Sequence, residues 1–405
     1  MARFYYTAEK NDGEVYRSSA DVADRYELYD VIRREGGKVV SVERESASRW
    51  WTWGYWNAKF TTVPEQEKII FARNLSAMLS AGLSLGRALG VVERQTKNPK
   101  FGKAISQIAN DVRRGTPFHS ALESFPRIFP PLFVAMVSAG EEGGELPKSL
   151  LTISEQMNRT YTLKKKIRSA LIYPSIIIIA IFGIGTLMLT QVVPTLAQTF
   201  DELGAELPVS TQTIISISDF LIENTLLSLL IFVAVVGGFI AALRTSQGKR
   251  VFEFVVLRTP MVKEIVKEVN AARTARTLGS LLASGVDMIS AIEITEKVVQ
   301  NSYFRDVIGN AGEEVGKGNP LSRAFSLRED LYPPLVGEMV AVGEETGELS
   351  GMLVKLAEFY EEEVSRKTKD MSTIIEPFLM VFIGAAVGFF AVSMIAPIYT
   401  LSDSI

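Results

Sequence analysis

The residues grouped most densely for chemistry in this chain are carboxylates. There is no cysteine, which removes thiolate nucleophiles, disulfides and sulfur-ligated metals. The one histidine, His119, removes any site that needs two imidazoles. The densest acids are Glu141, Glu142 and Glu145, which with Gly140 lie in Pro130–Leu146, PPLFVAMVSAGEEGGEL. The phrase returns 203 residues later in Pro333–Leu349, PPLVGEMVAVGEETGEL, as Gly343, Glu344, Glu345 and Glu348. Eleven of the seventeen positions are identical, so this is an internal duplication. Clustered carboxylates suit a hard cation such as calcium. They also suit a helix start, where the dipole favours negative charge. On that second reading Gly140 and Gly343 each end one helix and the acids open the next, with no ligand required. A contact or hinge role for the turn is preferred to catalysis, and no metal or cofactor is expected.

Three other features invite a chemical reading. Gly312–Gly318 has the look of a phosphate loop, but it lacks the spacing and the Ser or Thr after Lys317. Gly318 is therefore read as a helix terminator. His119, beside Phe118, is read as structural or surface. Glu376 stands at the edge of an apolar stretch, before Pro377, where the other copy has Tyr173 and Pro174. An acid entering a span invites a functional reading by default, but at the membrane edge a structural or partner contact is preferred to an ion or proton path.

These residues need elements to carry them. The 203-residue offset holds without a gap, pairing Gly82 with Gly285, Gly115 with Gly318, Pro117 with Pro320 and Pro174 with Pro377. Within each copy, apolar residues recur at helical spacing in short runs, such as Phe71, Leu75, Met78 and Leu79, or Phe101, Ile105, Ile108 and Val112. Glycines such as Gly82, Gly115 and Gly285 end them. Six amphipathic helices that bury one face against each other make a bundle in each copy. The first opens at Thr62–Glu65, where Thr62 is expected as N-cap, Pro64 in the first turn and Glu65 closing a capping box.

Three apolar stretches are long enough to cross a bilayer: Leu171–Val193, Asn224–Leu243 and Pro377–Leu401. Apolar residues make up 47% of the chain and mean hydropathy is +0.17, which fits a chain partly in a membrane. Basic residues flank the spans on the bundle side, among them Lys164, Lys165, Lys166, Arg168, Arg244, Lys249, Arg250, Arg366 and Lys367. The connection 195–223 carries five acids and no Lys or Arg. By the positive-inside rule both bundles face the cytoplasm. A net charge of −3 gives no footing for direct nucleic-acid binding.

The expected organisation is mainly α and membrane-integral. Residues 1–45 form a small α+β module, with a hairpin turn at Asn11–Gly13 and a helix over Ala23–Arg34. A linker, 46–62, contains Trp50, Trp51, Trp53 and Trp56, read either as packing rings or as an aromatic patch for the interface or a partner. The first bundle takes 63–169, a span 170–194, an outward loop 195–223 and a second span 224–243. The second bundle takes 244–373, the third span 374–398 and an outward tail 399–405. The N-terminus has no signal-peptide core and is expected to stay where it is made. Gly384, Ala385, Ala386 and Gly388 in the third span allow another helix to come close.

The arrangement resembles the type II secretion system F family, the platform proteins of secretion systems (GspF) and of type IV pili (PilC). The phrases that carry the resemblance are Phe71–Gly82, Ser138–Leu146, Ala170–Pro174, Leu207–Thr211, Ile375–Leu379 and Ala396–Ile398. The tryptophan-rich Ala47–Asn57 and the second glycine at Gly37 depart from it. The resemblance implies a non-enzymatic platform in the inner membrane that couples a cytoplasmic ATPase to pilin or pseudopilin subunits. It implies other inner-membrane assembly proteins as partners, contact with lipid and a homo-oligomer. The alternative from another class is a transporter or channel component using the repeat with Glu376 as its intramembrane acid. Pilus, secretion and DNA-uptake machines are not separated at this level.

Overall fold

The computed structural model describes residues 2–10, 15–22, 37–44, 62–202, 207–260 and 262–403. The helix expected over Ala23–Arg34, the Asn11–Gly13 turn and the tryptophans of the linker lie outside the described residues. Residues 1–63 with 98–100 form one compact unit, and 64–97 with 101–405 form another. In the first unit, β1 (Ala2–Lys10) lies between β2 (Val15–Val22) and β3 (Gly37–Arg44), antiparallel to both. Glu9 pairs with Val15, the register of a hairpin, and the β1–β3 ladder shifts at Thr7/Ala8.

The second unit is mainly helical, with no strand among its described residues. Its first copy holds α1 (Glu65–Ser80), α2 (Leu85–Gln95), α3 (Pro99–Arg113), α4 (Phe118–Glu123), α5 (Pro131–Glu142) and α6 (Leu146–Leu187). A π-helical turn, Met188–Val192, leads to α7 (Val193–Glu202), followed by α8 (Val209–Glu223), α9 (Thr225–Arg244) and α10 (Ser246–Arg258). The second copy follows as α11 (Val262–Ala283), α12 (Met288–Val298), α13 (Ser302–Gly316), α14 (Leu321–Ser326), α15 (Pro334–Thr346) and α16 (Leu349–Asp403).

The expected capping box at the start of α1 does not form. Pro64 is itself the N-cap, at φ −60° and ψ 145°, with no side-chain cap bond. A proline holds the residue before it extended, so Thr62 is carried too far from the first-turn amides to reach them. Glu65 and Glu67 in the first turn complement the dipole instead.

α1 ends where Gly82 takes φ +85°, and the amide of Leu83 bonds back to the Met78 carbonyl at 3.0 Å. The second copy repeats this with Gly285, also at φ +85°, and Val286 bonding to Leu281. A glycine is needed because other residues meet their own carbonyl in the left-handed region.

Each copy closes on aromatic rings, and the two cores differ in a compensated way. In the first, Phe71, Phe101, Phe129 and Phe133 cluster with centroids 5.0 to 6.4 Å apart. In the second, the counterparts of Phe71 and Phe129 are Thr274 and Tyr332. Their hydroxyls bond to each other at 2.9 Å, fully buried, while Tyr332 packs edge-on against Phe304 and Phe325. Either hydroxyl alone would be a buried orphan, so the two changes work only as a pair. Burial pushes the Tyr332 phenol well above its ordinary value, against the opposing hydrogen bond to Thr274.

α6 and α16 each pass without a break from bundle to apolar span. Three helices are long and apolar enough to cross a membrane, within Leu146–Thr199, Thr225–Arg244 and Leu349–Ser393. At about 1.5 Å per residue, a 55-residue helix such as α16 is some 80 Å long, against about 30 Å of hydrocarbon. Well over half of it, about 50 Å, therefore exceeds the hydrocarbon thickness.

The connection 195–223, expected as a loop, is largely helical. Thr211, Ile214, Ile215 and Ser218 share one face of α8. Ile214 is buried with Val193, flanked by Leu189, Leu196, Ile215 and Phe390. The Thr211 hydroxyl donates to the Ser393 carbonyl, and that of Ser218 to the Leu189 carbonyl. Each bond returns a polar group of α8 to a spanning helix, which is why this stretch folds back.

Candidate functional site

The duplicated acid turn joins α5 to α6 and α15 to α16. Its first acid serves a different helix from the one expected. Glu141, in the last turn of α5, accepts the amides of Phe118 at 2.7 Å and His119 at 3.0 Å. Glu344, in α15, likewise accepts those of Leu321 at 2.5 Å and Ser322 at 3.2 Å. These are the first amides of α4 and α14, short helices whose own N-caps, Pro117 and Pro320, provide no side-chain bond. Each carboxylate therefore caps a helix 22 to 23 residues back in the chain, rather than opening the next one. The dipole argument holds, but it applies to another helix.

In the first copy His119 adds its ring, with Nδ1 2.7 Å from Glu141 Oε2. The second copy has Ser322 there. Partial burial works to raise the Glu141 carboxyl. The amides of His119 and Phe118, with the His119 ring, outweigh it and hold that carboxyl below its ordinary value.

The glycines of the turn also differ from expectation. Gly140 and Gly343 do not cap; they lie inside α5 and α15. They are glycine because the following helix passes too close for a side chain. A Cβ on Gly343 would lie 2.8 Å from the Leu349 Cα, and one on Gly140 would overlap the Ser149 side chain. The left-handed positions belong to Gly144, at φ +70°, and Gly347, at φ +73°. Cap and close approach are separate jobs, done by glycines four residues apart.

The remaining acids are exposed. Glu142 accepts from the Ser138 hydroxyl at 2.9 Å, and Glu145, the N-cap residue of α6, pairs with Lys148 at 2.8 Å. Glu345 and Glu348 are exposed on the second turn. Among the described residues no three acids or histidines converge as a metal ion would require. The first turn stands beside the Gly285 turn of the second copy, across an open cleft of about 770 Å³ lined by Glu142, Glu145, Lys148, Gly285 and Asp287. The cleft is wide and open, its lining as much apolar as polar.

Closer to the spans, charges that periodicity does not reveal tie α11 to α16 within the second copy, and Arg159 joins the first copy to them. Arg276 on α11, 6% exposed, donates twice to Glu361 on α16, both at 2.9 Å. Arg159 on α6 reaches across to Glu358 at 3.1 Å. Lys367 bonds Glu268 at 2.7 Å and Glu264 at 3.0 Å. Burial pushes the Glu268 carboxyl above its ordinary value, against the counter-effect of Lys367. The first copy has Arg73 and Asn158 at the positions of Arg276 and Glu361, and there Arg73 is exposed. That Asn-to-Glu difference opposite an arginine was the one signal in the sequence.

Pro174 is buried within α6, and Pro377 lies within α16, where it has no N–H to give the preceding turn. Glu376 beside it is half-buried. It stands about nine residues beyond the Lys367 cluster, on the same continuous helix.

The family profile described as "Type II secretion system (T2SS), protein F" matches residues 71–194 and again 274–397, the same 203-residue offset. The chain is 38% identical over 332 residues to the "Type IV pilus assembly protein PilC" of Thermus thermophilus, covering 82% of each chain. It is 31% identical over 404 residues to the protein of that name in Myxococcus xanthus, covering 100% of this chain and 96% of that one. With the "Type II secretion system protein F" of Aeromonas hydrophila identity is 30% over 341 residues, covering 84% and 87%. Two matched copies, each running from a capped helical bundle into an apolar span, place the chain in the type II secretion system protein F family.

Proposed function

We propose that the chain is an inner-membrane platform for assembly of a type IV pilus or a type II secretion pseudopilus. The observation that carries this reading is the continuity of α6 and α16, rods that run from the two bundles into the bilayer. A push or turn applied to a bundle is passed along such a rod, with Pro174 and Pro377 marking the points where each lacks a backbone hydrogen bond and can bend. The bundles supply a grip for a cytoplasmic ATPase, and the spans supply surfaces against which pilin or pseudopilin helices and other inner-membrane assembly proteins rest. The basic residues flanking the spans favour both bundles in the cytoplasm. The small residues Gly384, Ala385, Ala386 and Gly388 leave room for a second copy or a subunit helix. The N-terminal strands belong to a small α+β module. The chain performs no catalysis of its own, and the acid turns and the proline-marked helices act as contacts and braces.

Deletion tests the reading: fibre assembly or secretion stops, and the tagged full chain co-purifies with a secretion-type ATPase while hydrolysing no ATP alone. Undiminished fibre or secretion output in the deletion strain would refute it.

A further inference from the structure

α10 has two chemically opposite faces, and each points at something different. One face is tied to the second copy. Glu253, buried, accepts the amide and hydroxyl of Ser302 at the start of α13. Lys249 donates to the Gln300 carbonyl at 2.8 Å, and Arg250 pairs with Asp306 at 3.0 Å and lies over the Tyr303 ring. The other face carries Gly248, Val251, Phe252 and Val255, the i, i+3, i+4 and i+7 positions of one stripe. Val251 is 63% exposed, Phe252 47% and Val255 54%, with Phe254 beside them at 44%.

Gly248 shows where that second stripe faces. A Cβ on it would overlap the Ala242 carbonyl, in the last turn of the apolar helix α9. Only Thr245, which caps α10 by accepting the Gly248 amide at 3.1 Å, separates the two helices. The stripe of α10 is thus the side from which α9 leaves toward the bilayer. Basic residues frame it: Arg244 ends α9, and Arg258 lies over the Phe254 ring, 4.5 Å from its centroid. Neither forms an ion pair among the described residues.

We propose that α10 lies in the membrane interface on the bundle side, with Val251, Phe252, Phe254 and Val255 among the upper acyl chains and Arg244 and Arg258 on anionic lipid phosphates. A helix with one apolar and one basic, polar face settles about 5–10 Å into the headgroup boundary and prefers anionic lipid. Attachment to a spanning helix holds this face at that depth, and the bonds to α13 tie the second bundle to the surface. The inference rests on α9 crossing the bilayer and not on which machine the chain serves.

The natural chain has no cysteine, so single nitroxide labels can be placed at Val251→Cys and Val255→Cys, both on exposed positions outside the packing. The full chain is reconstituted in phosphatidylcholine vesicles with and without phosphatidylglycerol. Collisions with oxygen and with a water-soluble nickel chelate are then compared. Oxygen should dominate at both sites, as at Val235→Cys within α9, while nickel dominates at Ile289→Cys on α12. Removing phosphatidylglycerol, or combining Arg244→Gln with Arg258→Gln, should shift both α10 labels toward nickel. Nickel dominance at 251 and 255 beside a lipid-exposed Val235 overturns this proposal alone; at Val235 as well it overturns the spanning of α9 too. Low access to both reagents means a protein cover and also overturns it, as does indifference to phosphatidylglycerol and to the arginines.

Discussion

Replacing Glu344 by alanine removes both acceptors from the amides of Leu321 and Ser322, bound at 2.5 and 3.2 Å. No neighbouring side chain can take over, because the N-cap residue is Pro320, and α14 has only six residues. Loss of an N-cap costs about 0.5–2 kcal/mol, and a hydrogen bond to a charged group contributes about 1.5–3 kcal/mol. Two such bonds at a partly wet helix start give about 2 kcal/mol. At about 1.4 kcal/mol per decade, amide exchange across α14 should quicken roughly 30-fold. Hydrogen exchange of the full chain in detergent, read by mass spectrometry on the segment 319–327, measures it. Glu344→Gln retains one acceptor and should give a smaller rise. Glu345→Ala, at an exposed carboxylate one residue away, should leave the segment unchanged. Unchanged exchange in Glu344→Ala, or the same acceleration in Glu345→Ala, would refute the long-range cap.

Four further outcomes follow from the same geometry. The Glu141 carboxyl is held below its ordinary value, so its contribution is present above that value and lost as pH falls through the depressed one. Protection of α4, corrected for intrinsic exchange, should hold at pH 5 and fail only below about pH 4. Gly140→Ala should destabilise by about 1–3 kcal/mol through overpacking and be partly rescued by Ser149→Gly. Gly343→Ala should have no such rescue, because its neighbour is the Leu349 backbone; thermal midpoints in detergent compare them. Glu361→Gln should cost about 3–5 kcal/mol by leaving buried Arg276 without its carboxylate, whereas Arg276→Met with Glu361→Leu should restore most of the midpoint. Glu376→Gln should leave fibre assembly or secretion intact, while a clear loss would favour the ion-path alternative.

Much of this architecture is legible in the chain because it depends on local, repeated features. Apolar spacing defines helices and an uncharged apolar run defines a span. The 203-residue offset needs only two copies to compare, which is why the family profile reproduces it. Gly82 and Gly285 announce their turns because a left-handed residue is a property of one position. What the sequence leaves open is whatever depends on which surfaces meet. GEExGEL reads as a helix start with acids on the dipole. Only the tertiary structure brings Glu141 to the amides of Phe118 and His119, and Glu344 to those of Leu321 and Ser322. Gly140 reads like any terminator until Ser149 of the next helix fills the space where its side chain would be. The stretch 195–223 reads as a loop until Thr211 and Ser218 find carbonyls on two spans. A helix needs only its own neighbours in sequence, whereas a cap, a close approach or a buried ion pair needs atoms brought from far along the chain.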